Sequence, residues 1–181
     1  MNMNEIETDR MKLALESLEG TRARIDAMSD EDRVDLSAEW LSLLASATNA
    51  DPWILGFNML RREDDLVIGQ CGFKGPPDSH GVVEIAYFVE PDWRGNGFAT
   101  EAAEAMTKYA FKNEAVQMVR AHTLPEPNAS TKVLTKAGFK HVGEVIDPED
   151  GPVWRWEKEM PRTMANNGRE TTNNTKKLGG R

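Results

Sequence analysis

The chain has 181 residues, 39% of them hydrophobic and 29% charged, and a formal net charge of −8. That length suits one domain with a core that needs no covalent staples, and the acidic balance argues against a nucleic-acid binder that relies on bulk positive charge. The single cysteine, Cys71, excludes an intrachain disulfide and a cysteine-rich zinc site. It lies in an apolar run and is expected to be buried and inert. The residues Met1–Arg10 are polar and acidic, unlike a signal peptide. No stretch approaches the roughly 18 apolar residues of a membrane span, so a cytoplasmic setting without membrane or metal is expected. Residues 162–181 carry Arg162, Arg169, Lys176, Lys177 and Arg181 against Glu170 alone. The body is therefore strongly acidic, which favours a cationic small partner through its field.

In chain order, Met11–Leu15 is predicted as a short strand and Leu18–Met28 as a first helix. Ser29 with Asp32 three places on has the form of a helix start. The helix that follows would align Leu36, Trp40, Leu43, Leu44 and Ala47 as a core stripe. Trp53–Leu60 is a strand-like run, Arg62–Asp65 a turn, and Leu66–Phe73 the return strand. Gly69 and Gly72 inside it suggest close backbone approach or a bulge. Val82–Val89 is an apolar strand with one acid, Glu84. A helix is expected over Ala99–Phe111, a strand over Met118–Leu124, and a helix from Asn128 or Ser130 to a left-handed stop at Gly138. Phe139–Ile146 and Val153–Glu159 close the body as a hairpin, with Trp154 and Trp156 on one face. This order argues for an α/β (α+β) mixed sheet with helices on both faces. The polar residues 163–181 are expected to be a disordered tail.

The sharpest motif is strand, then Arg94-Gly95-Asn96-Gly97-Phe98-Ala99, then helix. A helix N-terminus leaves backbone N–H groups unpaired, and its dipole favours negative charge. Glycines let that backbone wrap an anion closely, and Arg94 adds a cation at the mouth. Three readings of the spacing stand side by side: a tight turn, a dinucleotide fingerprint with Thr100 where the third glycine belongs, and a coenzyme A pyrophosphate site.

Arg94, Gly97 and Ala99 resemble, in register, the acetyl-CoA signature of the GCN5-related N-acetyltransferase (GNAT) superfamily. Glu84–Val89 upstream and Ala99–Ala102 downstream are similar too. Ala129–Leu134 leading into Lys136-Ala137-Gly138-Phe139, with the hairpin segment Ile68–Phe73, resembles the ribosomal-protein N-terminal acetyltransferase subgroup. The resemblance implies one GNAT-like domain over 1–162, with a mostly antiparallel twisted sheet and a splayed central strand pair. It implies pantetheine pairing at Phe88 and Val89, and a pyrophosphate held by Arg94, Gly95, Asn96, Gly97, Phe98 and Ala99. It further implies direct acetyl transfer from acetyl-CoA to a primary amine of a peptide or small molecule.

Glu84 is the candidate base, expected to have a raised pKa; its bland reading is a salt-bridged strand acid. The family's usual general-acid Tyr falls on Leu134, and its usual Asn on Pro127. Ser130 is the candidate donor to the thiol sulfur, or a helix cap. Asn128 is the candidate cofactor contact, or a ligand of a helix-start N–H. Glu126 and His122 are lesser candidates; His80 and His141 complete the histidines. Trp53 and Phe57 are expected near the acceptor pocket. The alternative function is a non-catalytic acyl-CoA-binding regulatory module, and the chain is expected as a monomer or homodimer.

Overall fold

Apolar residues alternate along most strands of the chain and set one sheet. The computed structural model describes residues 4–34 and 36–161; the expected tail, 163–181, lies outside them. The strands are β1 (Glu5–Glu7), β2 (Met11–Leu15), β3 (Phe57–Arg61), β4 (Val67–Phe73), β5 (Val82–Val89), β6 (Met118–Thr123), β7 (Lys140–Asp147) and β8 (Gly151–Glu159). They form one sheet in the order β1-β2-β3-β4-β5-β6-β8-β7. Every neighbouring pair is antiparallel except β5 and β6, which run parallel. The sheet is the mixed, mostly antiparallel one expected from the sequence.

The helices are α1 (Leu18–Asp26), α2 (Asp30–Val34), α3 (Ala38–Ser46), α4 (Phe98–Ala110) and α5 (Ala129–Lys136). The main core packs Phe98, Ala102, Met106 and Ala110 of α4 onto Phe57, Met59, Ile68, Phe73, Val83, Ile85 and Val89 of the sheet. A second, smaller cluster gathers Ile25, Leu44 and Leu55 with Leu36 and Trp40 around it. The expected single helix after Ser29 is two helices. Ser29 does accept from the Asp32 N–H at 3.1 Å, but Ser37 starts a second helix by accepting from Trp40 N–H at 3.3 Å. The first residues of the expected strand Trp53–Leu60 are instead a turn. Asp51 draws in the Trp53 N–H with its side chain at 2.8 Å, and the Leu55 N–H with its carbonyl at 2.8 Å. Local turn chemistry here overrides an apolar run.

Gly69 is where β4 approaches β5 most closely. A Cβ there would lie 2.2 Å from the Phe88 carbonyl oxygen and 3.2 Å from Met59 Sδ. The β3–β4 register also shifts beside it, between Met59 and Leu60. Both sequence readings of this glycine, close approach and a bulge, hold at one place. Cys71 is buried, and burial pushes its thiol up to about 12, so it stays protonated. Gly69→Ala is expected to lower stability by about 1–3 kcal/mol, because backbone must move; an unchanged urea midpoint would show that β4 and β5 are not locked there.

Candidate active site

The parallel pairing of β5 and β6 is short. Val82, Val83 and Glu84 stand opposite Met118, Val119 and Arg120, and the register ends there. Beyond it β5 keeps its bonds to β4 through Val89, and β6 keeps its bonds to β8 through Thr123. The two strands therefore diverge, and the gap opens a cleft with a cavity of about 380 Å³. Glu84 sits at its vertex, with Tyr87 and Ser130 on its walls.

Glu84 is 21% exposed and is bound twice through Oε1: Lys74 Nζ is 2.8 Å away and His122 Nδ1 is 3.1 Å away. Arg155 Nε donates to His122 Nε2 at 3.2 Å. An arginine Nε can only donate, so His122 carries its hydrogen on Nδ1 and gives it to Glu84. Asp150 lies 3.7 Å from Lys74 and Asp147 3.8 Å from His122, so acids ring the lysine. Burial pushes the Glu84 carboxyl up, but the His122 and Lys74 hydrogen bonds outweigh it and hold it below the usual range. This corrects the expected raised pKa: hydrogen bonds from His122 and Lys74 together outweigh the burial.

The glycine loop lies beyond the C-terminal end of β5, between that strand and α4. Gly95 and Gly97 have φ of 74° and 83°, a region glycine enters freely. Gly97 is the N-cap of α4 and offers no side chain to the free N–H groups of the first turn. Glu101, the acid in the first turn of α4, is engaged elsewhere: it accepts from the Arg10 N–H at 2.8 Å and from Arg10 Nε at 2.8 Å. Arg10 also donates to the Asn96 carbonyl at 2.8 Å and lies over the Phe98 ring. Arg10 thus braces the loop from the β1–β2 turn, a role no local motif announces. Arg94 donates from Nε to the Val89 carbonyl at 2.8 Å and stands over Phe88, which is 50% exposed. Ala99 follows Phe98 in the first turn of α4.

Asn128, not Ser130, caps α5, in a reciprocal box with Thr131. Asn128 Oδ1 is thereby committed to the helix, and Ser130 is left facing the cleft. Leu134, at the family's Tyr position, is fully buried. Trp53 packs on Phe73 and Phe57 is fully buried in the core, so neither lines this cleft. Glu126 is exposed outside the cavity lining. Trp156 is buried and donates to Thr123 at 3.1 Å, and His141 packs against both it and Trp154 in tilted ring contacts. Lys74, Tyr87 and Arg155 were not singled out in the sequence. Lys74 meets Glu84 through strand register alone, its N–H donating to the Glu84 carbonyl at 2.9 Å.

The chain belongs to the GNAT acetyltransferase family: residues 6–140 match the family model described as an Acetyltransferase (GNAT) domain. A relative named uncharacterized N-acetyltransferase p20, from Bacillus licheniformis, is 33% identical over 93 residues, 51% of this chain and 52% of that protein. The chain spans about half the length of the curated relatives it matches. Among solved structures, ribosomal-protein-S5-alanine acetyltransferase from Vibrio fischeri aligns with a TM-score of 0.62 at 15% identity, covering 86% of this chain and 96% of its own. AAC(6')-Ib, solved with parmomycin and acetyl-CoA, aligns with a TM-score of 0.60 at 16% identity over 89% and 98% of the two chains. These two likenesses speak to the fold.

The lowered Glu84 pKa has a signed consequence. Its stabilisation is present above the unfolded value of about 4.3 and is lost as pH falls through the lower folded value. Glu84→Gln should therefore cost about 1–3 kcal/mol at pH 7, between an exposed and a buried pair. The gap to the native protein should close in strong acid. Denaturation at both pH values checks this, and a gap independent of pH would mean the ion pair contributes nothing.

Proposed function

We propose that this chain is an N-acetyltransferase that binds acetyl-CoA across the β5–β6 gap and acetylates a primary amine. The observation that carries the reading is the strand gap with a partly buried carboxylate at its vertex, on the same strand, β5, that leads on to the glycine loop and the uncapped start of α4. The residues present fit the co-substrate. Gly95 and Gly97 keep side chains off the loop, α4 starts without a side-chain cap, and the edge of β5 past Glu84 has no strand on it. When bound, acetyl-CoA supplies the activated acyl group as a thioester.

In this reading the N–H groups from Gly95 to Ala99 hold the pyrophosphate, with Arg94 as its cation. Backbone groups of Phe88 and Val89 face the pantetheine arm, which takes the place of a strand. A backbone N–H near Phe88 polarises the acyl carbonyl. Asn128 stands beside this path at the start of α5. Glu84 receives the acceptor ammonium in place of Lys74, and His122 with Arg155 holds the carboxylate in position. A carboxylate this acidic is a weak base toward an ammonium near pKa 10. Glu84 therefore anchors the amine and relays its proton to water, while the neutral fraction of the amine sets the rate.

The acceptor is read as cationic. Glu84 and Asp150 line the cleft, Asp147 lies against its His122, and the acidic body draws cations toward it. A neighbour of the same fold holds parmomycin with acetyl-CoA.

Calorimetry should give micromolar acetyl-CoA binding and no heat with NAD; the opposite pattern would sink the proposal. With an acceptor in hand, Glu84→Gln should lower kcat at least about tenfold with acetyl-CoA affinity unchanged. The pH profile of kcat/KM should rise toward the pKa of the amine and show no limb from Glu84 above pH 5. A limb near neutrality that vanishes in Glu84→Gln would restore the raised-pKa base.

A further inference from the structure

Tyr87 is the one polar side chain in the described residues whose buried atom makes no well-formed hydrogen bond: its hydroxyl oxygen is shut from solvent, with only a weak interaction with the Ser130 hydroxyl. Such a group is costly to leave unmade. It is also placed with purpose. Tyr87 lies on β5 past the last paired residue, Glu84, and lines the same cavity as Ser130 and His122. Ser130 is the hydroxyl beside it, on the first turn of α5. The position the family gives to a general-acid Tyr holds Leu134, fully buried and without a donor.

Resting on the acetyl-CoA reading, we propose that Tyr87 is a catalytic residue: its hydroxyl donates a hydrogen bond to the departing thiol sulfur and keeps its own proton. As the amine nitrogen bonds to the acyl carbon, the C–S bond breaks and sulfur leaves with the electron pair. The Tyr87 O–H stabilises that pair. The protons released by the acceptor nitrogen pass through Glu84 and water to solvent, and sulfur takes one from solvent at its own pKa. Burial, slightly offset by Ser130, pushes the Tyr87 hydroxyl up to about 12. A thiol titrates near 8.5, so full proton transfer from Tyr87 to sulfur runs uphill while a hydrogen bond does not. The role differs from a general acid in that the tyrosine never ionises.

The test needs no acceptor amine. Free coenzyme A is bound to the protein, and its thiol is titrated by thiolate ultraviolet absorbance in the native chain, Tyr87→Phe and Ser130→Ala. Lys74, Glu84 and His122 face the same cavity and act alike in native and Tyr87→Phe protein, so the difference between those two reads the hydroxyl. The expected result is a bound thiol about tenfold less acidic in Tyr87→Phe. Coenzyme A affinity at neutral pH should stay within about twofold, and the melting temperature should not fall, since the hydroxyl lost makes no well-formed hydrogen bond and the Ser130 hydroxyl beside it faces the cleft. Coincident titrations overturn the proposal, as does a shift in Ser130→Ala without one in Tyr87→Phe. A drop in melting temperature overturns it too, because the hydroxyl would then serve the fold. Failure of the native chain to bind coenzyme A overturns the acetyl-CoA reading first, and this proposal with it.

Discussion

The structure turns on the early end of the pairing between β5 and β6. Three residue pairs hold these parallel strands together, and the rest of each is held only on its far side, by β4 and by β8. Strand edges carry backbone donors and acceptors that seek partners. Here the two inner edges face one another too far apart to bond. The sheet can tolerate this because α4 and the core beneath it keep β4 and β5 packed, with Val83, Ile85 and Val89 all buried. The gap is thereby flanked on both sides by paired strands, β4 against β5 and β8 against β6.

The chemistry of the slot is arranged by who is kept out of it. Glu101, in the first turn of α4, is the carboxylate best placed to neutralise the helix start, and Arg10 holds it aside. Asn128 gives its oxygen to α5, which releases Ser130. His122 and Lys74 together hold the Glu84 carboxyl below its usual range and so keep it ionised. Each small bond removes a competitor from a surface that a ligand can use.

Much of this was legible in the sequence. β2 and β5 fall on their expected residues, and α4 lies one residue from its expected bounds, because alternation and helical spacing are strong there. Glu84 stood out as the lone acid of an apolar strand, and Gly138 as a left-handed stop, which its φ of 82° bears out. Other parts left no local mark. β1 is Glu-Ile-Glu and owes its form to pairing with β2. Tyr87 shares the core-facing parity of Val83, Ile85 and Val89, so alternation hides its polar end. Lys74 and Arg155 become site residues through register, and Arg10 through contacts spanning 86 and 91 residues. Physical pairing across such separations is invisible to any window along the chain.

The Arg10 brace ties the glycine loop to the outer edge of the sheet, where β1 and β2 lie. Edge elements open more often than central ones, in cooperative units of low free energy. Each fraying of that hairpin would release Asn96 and Glu101 together, letting the loop relax and its nearest carboxylate swing toward the helix start. Hydrogen exchange at the loop amides would then report the opening of a strand pair far away in sequence. The conformation of this loop is thereby coupled to the stability of a distal sheet edge as well as to its glycines.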